Sequence, residues 1–195
     1  MLKRLASLFA KPRATAVEPD RLLLALQQEF PSGPIRRGSL RGGQPDGVGR
    51  NVIDEILLFD CGDHWLYLFL GCRALGLSFE LSFRTAKLPE DSGPPQWPIE
   101  PVTRVANAIG DGAECALGAT RRLGEDAIPS FAGLVMLRDL QFGKVEPIAL
   151  WQLVPVTPSE LDLKGDELRA LFGRLYDDRS RMLGIAGTRP IPNQG

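Results

Sequence analysis

The chain has 195 residues, a formal net charge of -1 and 44% hydrophobic residues, which fits one globular domain with a sizeable core. A net charge this close to zero argues against the basic surface of a nucleic-acid-binding domain. No apolar run approaches the ~18 residues of a membrane-spanning helix. Three cysteines without CxxC spacing favour a cytoplasmic protein over a disulfide-bonded secreted one. One histidine, His64, and three scattered cysteines predict no metal site. The glycine-rich stretches lack the strand-to-helix context and the lysine of a phosphate loop, so no cofactor is expected.

One domain is expected over residues 19–182, between an N-terminal tail at 1–18 and a C-terminal tail at 183–195. Apolar residues with helical spacing occur near the N-terminus, which leaves open either a frayed helix or a weak amphipathic membrane contact. Four arginines lie in the glycine- and proline-rich segment 31–50, which is either a solvated loop or a surface for an acidic partner: Arg36, Arg37, Arg41 and Arg50.

The first half of the chain predicts one helix followed by short strands. Pro19 opens a helix that closes at Pro31, since proline is tolerated in a first helical turn and ends a helix otherwise. The turn at Cys61-Gly62 joins two strands into a hairpin. The predicted strands are a short one at 34–37 and longer ones at 51–60, 64–71 and 77–85.

The second half predicts a helix at 98–109, then three strands, then a helix in two pieces. The strands are expected at 113–120, 131–137 and 144–154. Thr157 and Glu160 form a capping box, and Gly165 separates that helix from a second piece at 166–175. Consecutive strands with tight turns predict an α+β (mixed α/β) fold. Its central, mostly antiparallel sheet has about six strands covered by helices.

Residues 64–84 carry the clearest strand patterns. In the first strand, aromatic residues point one way and leucines the other, which is typical of a strand covered on both faces: Trp65, Tyr67 and Phe69 against Leu66, Leu68 and Leu70. The next strand alternates strictly between apolar and polar residues, so its polar face is expected to meet solvent: Ser78, Glu80, Ser82 and Arg84.

The segment Asp60-Cys61-Gly62-Asp63-His64 is the one cluster that combines histidine, cysteine and carboxylates. A Cys–His pair can act as nucleophile and base. Tight turns also favour aspartate for local hydrogen bonding alone, and no third group that would orient His64 is evident. The sequence therefore predicts a protein that is not an enzyme, with an unrecognised small-molecule site as an alternative.

Four segments, in the same order, resemble the suppressor of fused domain, which occurs in bacteria and in the animal regulator of Hedgehog signalling. HWLY at 64–67 followed by Gly71 resembles the family's HWxYxxxG strand, and LSFELSFR at 77–84 resembles its GFELTFR strand. PPQWP at 94–98 resembles its helix entry. The fourth segment, GKV at 143–145 with LVPVT at 153–157, resembles GKVxFLQLVGIT.

The resemblance implies a domain that binds another protein without catalysis. The animal member binds zinc-finger transcription factors and holds a short peptide as an added strand. Bacterial members resemble stand-alone binding domains, some proposed as immunity proteins that neutralise a cognate toxin by stoichiometric binding. By this resemblance, we expect a bacterial stand-alone member and a protein partner, with a toxin as one candidate, and no nucleic acid or integral membrane segment. A monomer or weak dimer is expected.

The chain departs from the family where the animal peptide binds. The family's Tyr-Val-Phe stands here as Ala108-Ile109-Gly110, and its Gly-Asp-His stands as Gly118-Ala119-Thr120, so two peptide anchors are absent. A different partner is therefore implied. Two surfaces are candidates for binding it: the polar side of 77–84, with Glu80, Ser82 and Arg84, and an exposed sheet edge at 113–120, with Glu114, Ala119 and Thr120. A membrane-peripheral adaptor that uses residues 1–13 and the arginine loop is the remaining alternative.

Overall fold

A computed structural model describes residues 21–40, 51–89, 92–123, 131–139, 141–142 and 149–177. Seven strands form one sheet in the order β1-β2-β3-β4-β7-β6-β5. Every neighbouring pair is antiparallel except β4 and β7, which are parallel. The strands are β1 Arg36–Ser39, β2 Glu55–Asp60, β3 His64–Leu70, β4 Phe79–Ala86, β5 Thr120–Arg122, β6 Gly133–Arg138 and β7 Ala149–Val156.

Helices cover both faces of this sheet, as the pattern predicted. Helix α2, Ile99–Gly110, covers one face, where it buries Val102, Val105 and Ala106. Helices α1, Arg21–Glu29, and α4, Gly165–Asp177, pack on the other face. The predicted mixed α+β fold is confirmed, with one strand more than expected. The short helix α3, Pro158–Leu161, begins at the capping box predicted for Thr157 and Glu160.

Both faces of strand β3 are apolar, so the sheet needs a packed helix on each face. Its aromatic side chains belong to the core under α2, and its leucines belong to the core under α1. Because α2 packs on the aromatic face of β3 and α1 packs on its leucine face, neither face of the strand reaches solvent. The prediction of a strand covered on both faces is therefore confirmed, and Tyr67, Leu66 and Leu68 are at most 2% exposed.

Gly71 ends β3 at a position that only glycine fits. Its φ of 150° lies outside the range that other residues readily adopt. A Cβ atom built there would lie 1.9 Å from the carbonyl oxygen of Val52. The chain then enters a 3-10 helix at Cys72–Leu75, which connects β3 to β4.

The predicted strand at 113–120 is wrong for most of its length, since β5 begins only at Thr120. The N–H of Ala119 donates to the carbonyl of Ala116, and Gly118 has a φ of 84°. This turn interrupts the extended backbone, so the strand does not form before Thr120. Residues 113–119 therefore form the approach to the sheet edge.

Several boundaries fall outside the described residues. The tails predicted at 1–18 and 183–195 lie there, as do residues 41–50 of the arginine-containing segment and residues 144–148 of the strand predicted at 144–154. The domain limits 19–182 remain a prediction.

Candidate protein-binding edge

The polar side chains within β4 do not face solvent, so the expectation of a wet face is wrong for Glu80, Ser82 and Arg84, whereas Ser78, just before β4, is exposed as expected. Glu80, Ser82 and Arg84 are 3%, 0% and 2% exposed. The register places Leu66 beside Arg84 and Leu68 beside Ser82. These three polar side chains of β4, the polar row, therefore lie between the apolar residues under α1 and those under α4. No partner protein reaches them there directly. This face is buried because of the order of the strands in the sheet. The alternation of residues within one strand carries no information about that order.

Glu80 holds the connection between β3 and β4. Its carboxylate accepts the backbone N–H groups of Gly71 and Cys72 at 2.9 Å each, and that of Arg73 at 3.4 Å. Burial raises the pKa of Glu80, and the three N–H donors partly offset that rise. Glu80 is therefore a buried cap for the first turn of the 3-10 helix, where the N–H groups have no helical acceptor.

Glu80 also lines a cavity of about 460 Å³ beside α1, together with Asp54, Glu55 and Arg73. The Glu80 carboxylate that faces the cavity is already engaged by backbone donors. The other described lining residues come from α1, β1, the end of β3 and the 3-10 helix with the glycine before it. A cavity with this lining shows no pair of groups arranged as a nucleophile and its base.

Arg84 and Asp139 form a buried ion pair. Arg84 Nη2 donates to Asp139 Oδ1 at 2.9 Å and Arg84 Nε to Oδ2 at 3.3 Å, while Ser82 Oγ donates to Oδ2 at 2.7 Å. Burial alone would raise the pKa of Asp139, but the Arg84 cation and these hydrogen bonds hold it below its usual value. Every nitrogen of Arg84 has an acceptor, since Nη1 donates to His64 Nε2 at 2.6 Å.

His64 is engaged at both ring nitrogens, which bears on the enzyme alternative. Arginine has no lone pair to offer, so His64 Nε2 accepts from Arg84 and Nδ1 carries the proton toward Asp63 at 2.6 Å. Burial raises the pKa of the Cys61 thiol, which disfavours the thiolate. Neither side chain is prepared for nucleophilic catalysis in this arrangement.

Strand β5 is one end of the sheet, and its outer side has no neighbouring strand in the described part of the chain. Ala119 accepts from the N–H of Met136 and Leu123 donates to Ala132, so odd-numbered residues point their backbone groups toward β6. In an antiparallel pair these groups alternate in direction. The N–H and C=O groups of Thr120 and Arg122 therefore point outward, as an edge that an added strand can extend.

Of the residues predicted from sequence for this edge, Thr120 begins β5, and Glu114 and Ala119 precede it. Glu114 is exposed, while Ala119 and Thr120 are partly buried. Leu117, at 41% exposure, adds an apolar group, and Phe172 of α4 packs close to Gly118. Whether these residues contact a partner stays a prediction.

Sequence reasoning missed Arg121 at this edge and Asp139, which pairs with Arg84 at the centre of the sheet. Arg121 Nη1 donates to the carbonyl of Thr120 at 3.3 Å, whereas its Nε and Nη2 are buried without a hydrogen-bond partner. The adjacent arginines of β5 were the available signal, because charged residues are common on edge strands. Nothing near Asp139 in the sequence marks it as the partner of Arg84, which lies 55 positions earlier.

No family model matches this chain, and no curated relative matches it. Solved structures do resemble it, among them the following two. A chain of the Sufu–Fu complex crystal structure superposes with a TM-score of 0.66 at 19% identity, over 87% of this chain and 89% of that chain. A protein of Neisseria gonorrhoeae FA 1090 named as a SUFU (suppressor of fused protein) homolog superposes with a TM-score of 0.61 at 16% identity, over 88% and 97%. The suppressor-of-fused-like fold expected from the four segments is therefore confirmed.

Two further observations concern the described residues alone. None of the helices described is both long and apolar enough to cross a membrane. Within those same ranges, no group of three or more histidine, cysteine, aspartate or glutamate side chains is arranged to hold a metal ion.

Proposed function

We propose that this chain is a protein-binding domain of the suppressor of fused type that occludes a partner in a stoichiometric complex, without catalysis. The fold supports this proposal, since one structural neighbour was crystallised as the Sufu–Fu complex. The outer edge of β5 carries it, because Thr120 and Arg122 offer backbone donors and acceptors to an incoming strand. Pairing with a free sheet edge is a recurrent way to hold an extended peptide.

The edge of β5 is short, so backbone pairing can supply only part of the affinity for an added strand. β5 has only three residues, and each net hydrogen bond contributes about 0.5–1.5 kcal/mol. Main-chain pairing alone would therefore be weak, and side-chain contacts beside the strand must supply the rest of the affinity. Leu117 and the flank near Phe172 offer apolar contacts of this kind.

The finer proposal is that the partner is a toxin, met in the cytoplasm by a monomer or weak dimer of this chain. It is supported by the resemblance to bacterial members proposed as immunity proteins, and by three cysteines that are free thiols. Co-expression tests it directly. The product of a neighbouring toxin gene should inhibit growth alone, and this chain should relieve the inhibition.

Replacing Arg122 with proline or valine tests the edge itself. R122P removes an outward N–H and leaves the β5–β6 pairing intact, because proline is tolerated where the N–H faces outward. R122V is the matched control, since it loses the same side chain and keeps the N–H. Both variants should unfold within about 1 kcal/mol of each other, which equilibrium unfolding in urea checks.

Affinity capture from the native organism, quantified by mass spectrometry, then uses wild type, R122P and R122V as baits. The expected partner is retained equally by wild type and R122V, is lost with R122P, and titrates with a stoichiometry of one in calorimetry. Equal retention by R122P would remove the edge from the proposal. If wild type retained no protein at micromolar concentration, the binding function itself would be contradicted.

A further inference from the structure

Arg121 places an unsatisfied cation at the β5 edge. Its Nε and Nη2 are buried and have no hydrogen-bond partner, and no described carboxylate forms an ion pair with it. Shielding N–H groups of a guanidinium from water without an acceptor is costly, so such groups normally have one. An anion that completes this guanidinium is therefore the missing element of the edge.

The one hydrogen bond of the Arg121 side chain lies on the edge that a partner would use. Nη1 donates to the carbonyl of Thr120, one of the backbone groups that point outward from β5. An incoming strand would give that carbonyl an N–H donor in place of Arg121. The guanidinium would then be free to turn toward the incoming strand without loss of any other hydrogen bond.

The direction of the Arg121 side chain fixes where the anion comes from. Alternation puts it on the α2 face of the sheet, with Ala119 and Leu123, and opposite Leu134 of β6. A strand added along β5 would place a side chain on that face within about 5 Å of its neighbour, the usual spacing of cross-strand pairs. Arg122 points to the opposite face, where its exposed guanidinium meets Asp162 at 3.2 Å.

We propose that the segment bound by β5 is an acidic, extended peptide whose aspartate or glutamate carboxylate pairs with the guanidinium of Arg121. This inference rests on the proposed function and specifies the class of its partner. A carboxylate matches the paired N–H donors of arginine in planar, bidentate geometry. Leu117 flanks the edge and favours an apolar residue next to the acidic one.

The probe is a library of eight-residue peptides displayed on phage and selected on the wild-type chain. Selected peptides should carry aspartate or glutamate at one fixed position. Synthetic peptides should slow hydrogen exchange at the amides of Thr120 and Arg122. Changing the acid to its amide should weaken binding to wild type about 10-fold or more, as for a charge-assisted hydrogen bond.

Two charge variants separate this contact from general electrostatic attraction. R121Q should abolish the difference between acid and amide peptides, while R104Q, which removes a similar charge from the exposed side of α2, should leave it. E125Q/D126N changes acidic residues outside the described ranges. If the acid preference appeared only in that variant, the chain's own carboxylates would occupy the site and the inference would be overturned.

The remaining outcomes distinguish the two proposals. Peptides that protect Thr120 and Arg122 without any acid preference would overturn the acidic partner and leave the protein-binding edge intact. Equal losses in R121Q and R104Q would do the same. If no peptide protected those two amides, both the acidic partner and the edge would be rejected.

Discussion

Arg84 and Arg121 belong to the same sheet, and they differ in how completely their charge is met. Arg84, on the central strand β4, has an acceptor for every nitrogen, through Asp139 and His64. Arg121, on the edge strand β5, uses one nitrogen and leaves two without a partner among the described residues. The comparison indicates that the centre of the sheet completes its charges internally, whereas the edge leaves a cation for something outside.

The largest effect is expected from breaking the central pair. R84M would leave the Asp139 carboxylate buried without its cation, so the free energy of unfolding should fall by about 3–5 kcal/mol. R104M is the control, because Arg104 is exposed and pairs only with Glu100 one helical turn away; it should cost no more than about 0.5 kcal/mol. Equal losses in urea unfolding would show that the pair does not hold β4.

Lowering the pH should weaken the contribution of the Arg84–Asp139 pair to stability. The pKa of Asp139 is lower folded than unfolded, although burial alone would raise it, because Arg84 stabilises the carboxylate. The unfolded chain therefore takes up the proton first, and this stabilisation is present above the usual pKa of 3.8 and lost as the pH falls through the folded value. Each unit of lowering contributes about 1.4 kcal/mol.

In R84M, burial of Asp139 without the Arg84 cation would raise the folded pKa of Asp139 above its unfolded value. The contribution of Asp139 to stability would then fall, and not rise, with increasing pH. The difference in unfolding free energy between wild type and R84M should consequently narrow between pH 5 and pH 2, measured by urea unfolding at fixed ionic strength. A gap that stayed constant over about that range would mean that Asp139 does not titrate with the pair.

Glu80 makes a smaller contribution to stability, and the pH dependence of that contribution is opposite to that of Asp139. Its folded pKa is raised, with burial the main cause, so its contribution is fully present below the usual value of 4.5 and lost as the pH rises through the folded pKa. E80Q should lower the unfolding free energy by about 1 kcal/mol, since one N–H loses its acceptor.

The difference between wild type and E80Q should be largest at low pH and shrink as the pH rises from about 4.5. E100Q, which changes an exposed carboxylate on α2, should show no such trend. A difference between wild type and E80Q that grew with pH would contradict the raised pKa.

The smallest effect is expected at the edge. R121M removes a guanidinium that already lacks two acceptors, so the unfolding free energy of the free protein should stay unchanged or rise by up to about 1 kcal/mol. The same replacement that is severe at Arg84 is thus harmless at Arg121. A loss above about 2 kcal/mol would show that Arg121 is already paired in the free chain.

Features of the fold that depend on residues close together in the chain could be predicted from the sequence. The two-sided apolar pattern of β3 predicted a covered central strand, and Thr157 with Glu160 predicted a helix start. Both signals depend on residues within a few positions of one another. The strand expected at 113–120 failed because Gly118 and the turn onto Ala119 interrupt an otherwise plausible run.

The candidate site was less predictable. The segment 113–120 did lead to the β5 edge, but the edge proper is Thr120–Arg122, and Arg121 was not singled out. The polar row of β4 was read as exposed, because alternation normally marks a wet face. No pattern in the sequence joins Arg84 to Asp139, whose meeting depends on β4 lying beside β7.

By itself, the sequence determined most of the strands and helices and which side chains share a face of β3 and β4. It could do so because the alternation of a strand and the spacing of a helix are properties of neighbouring residues. Only the tertiary structure decided that the polar face of β4 is buried, that β5 is an open edge, and that one arginine is paired while another is not. Those outcomes follow from the order of strands across the sheet, which brings together residues far apart in the chain.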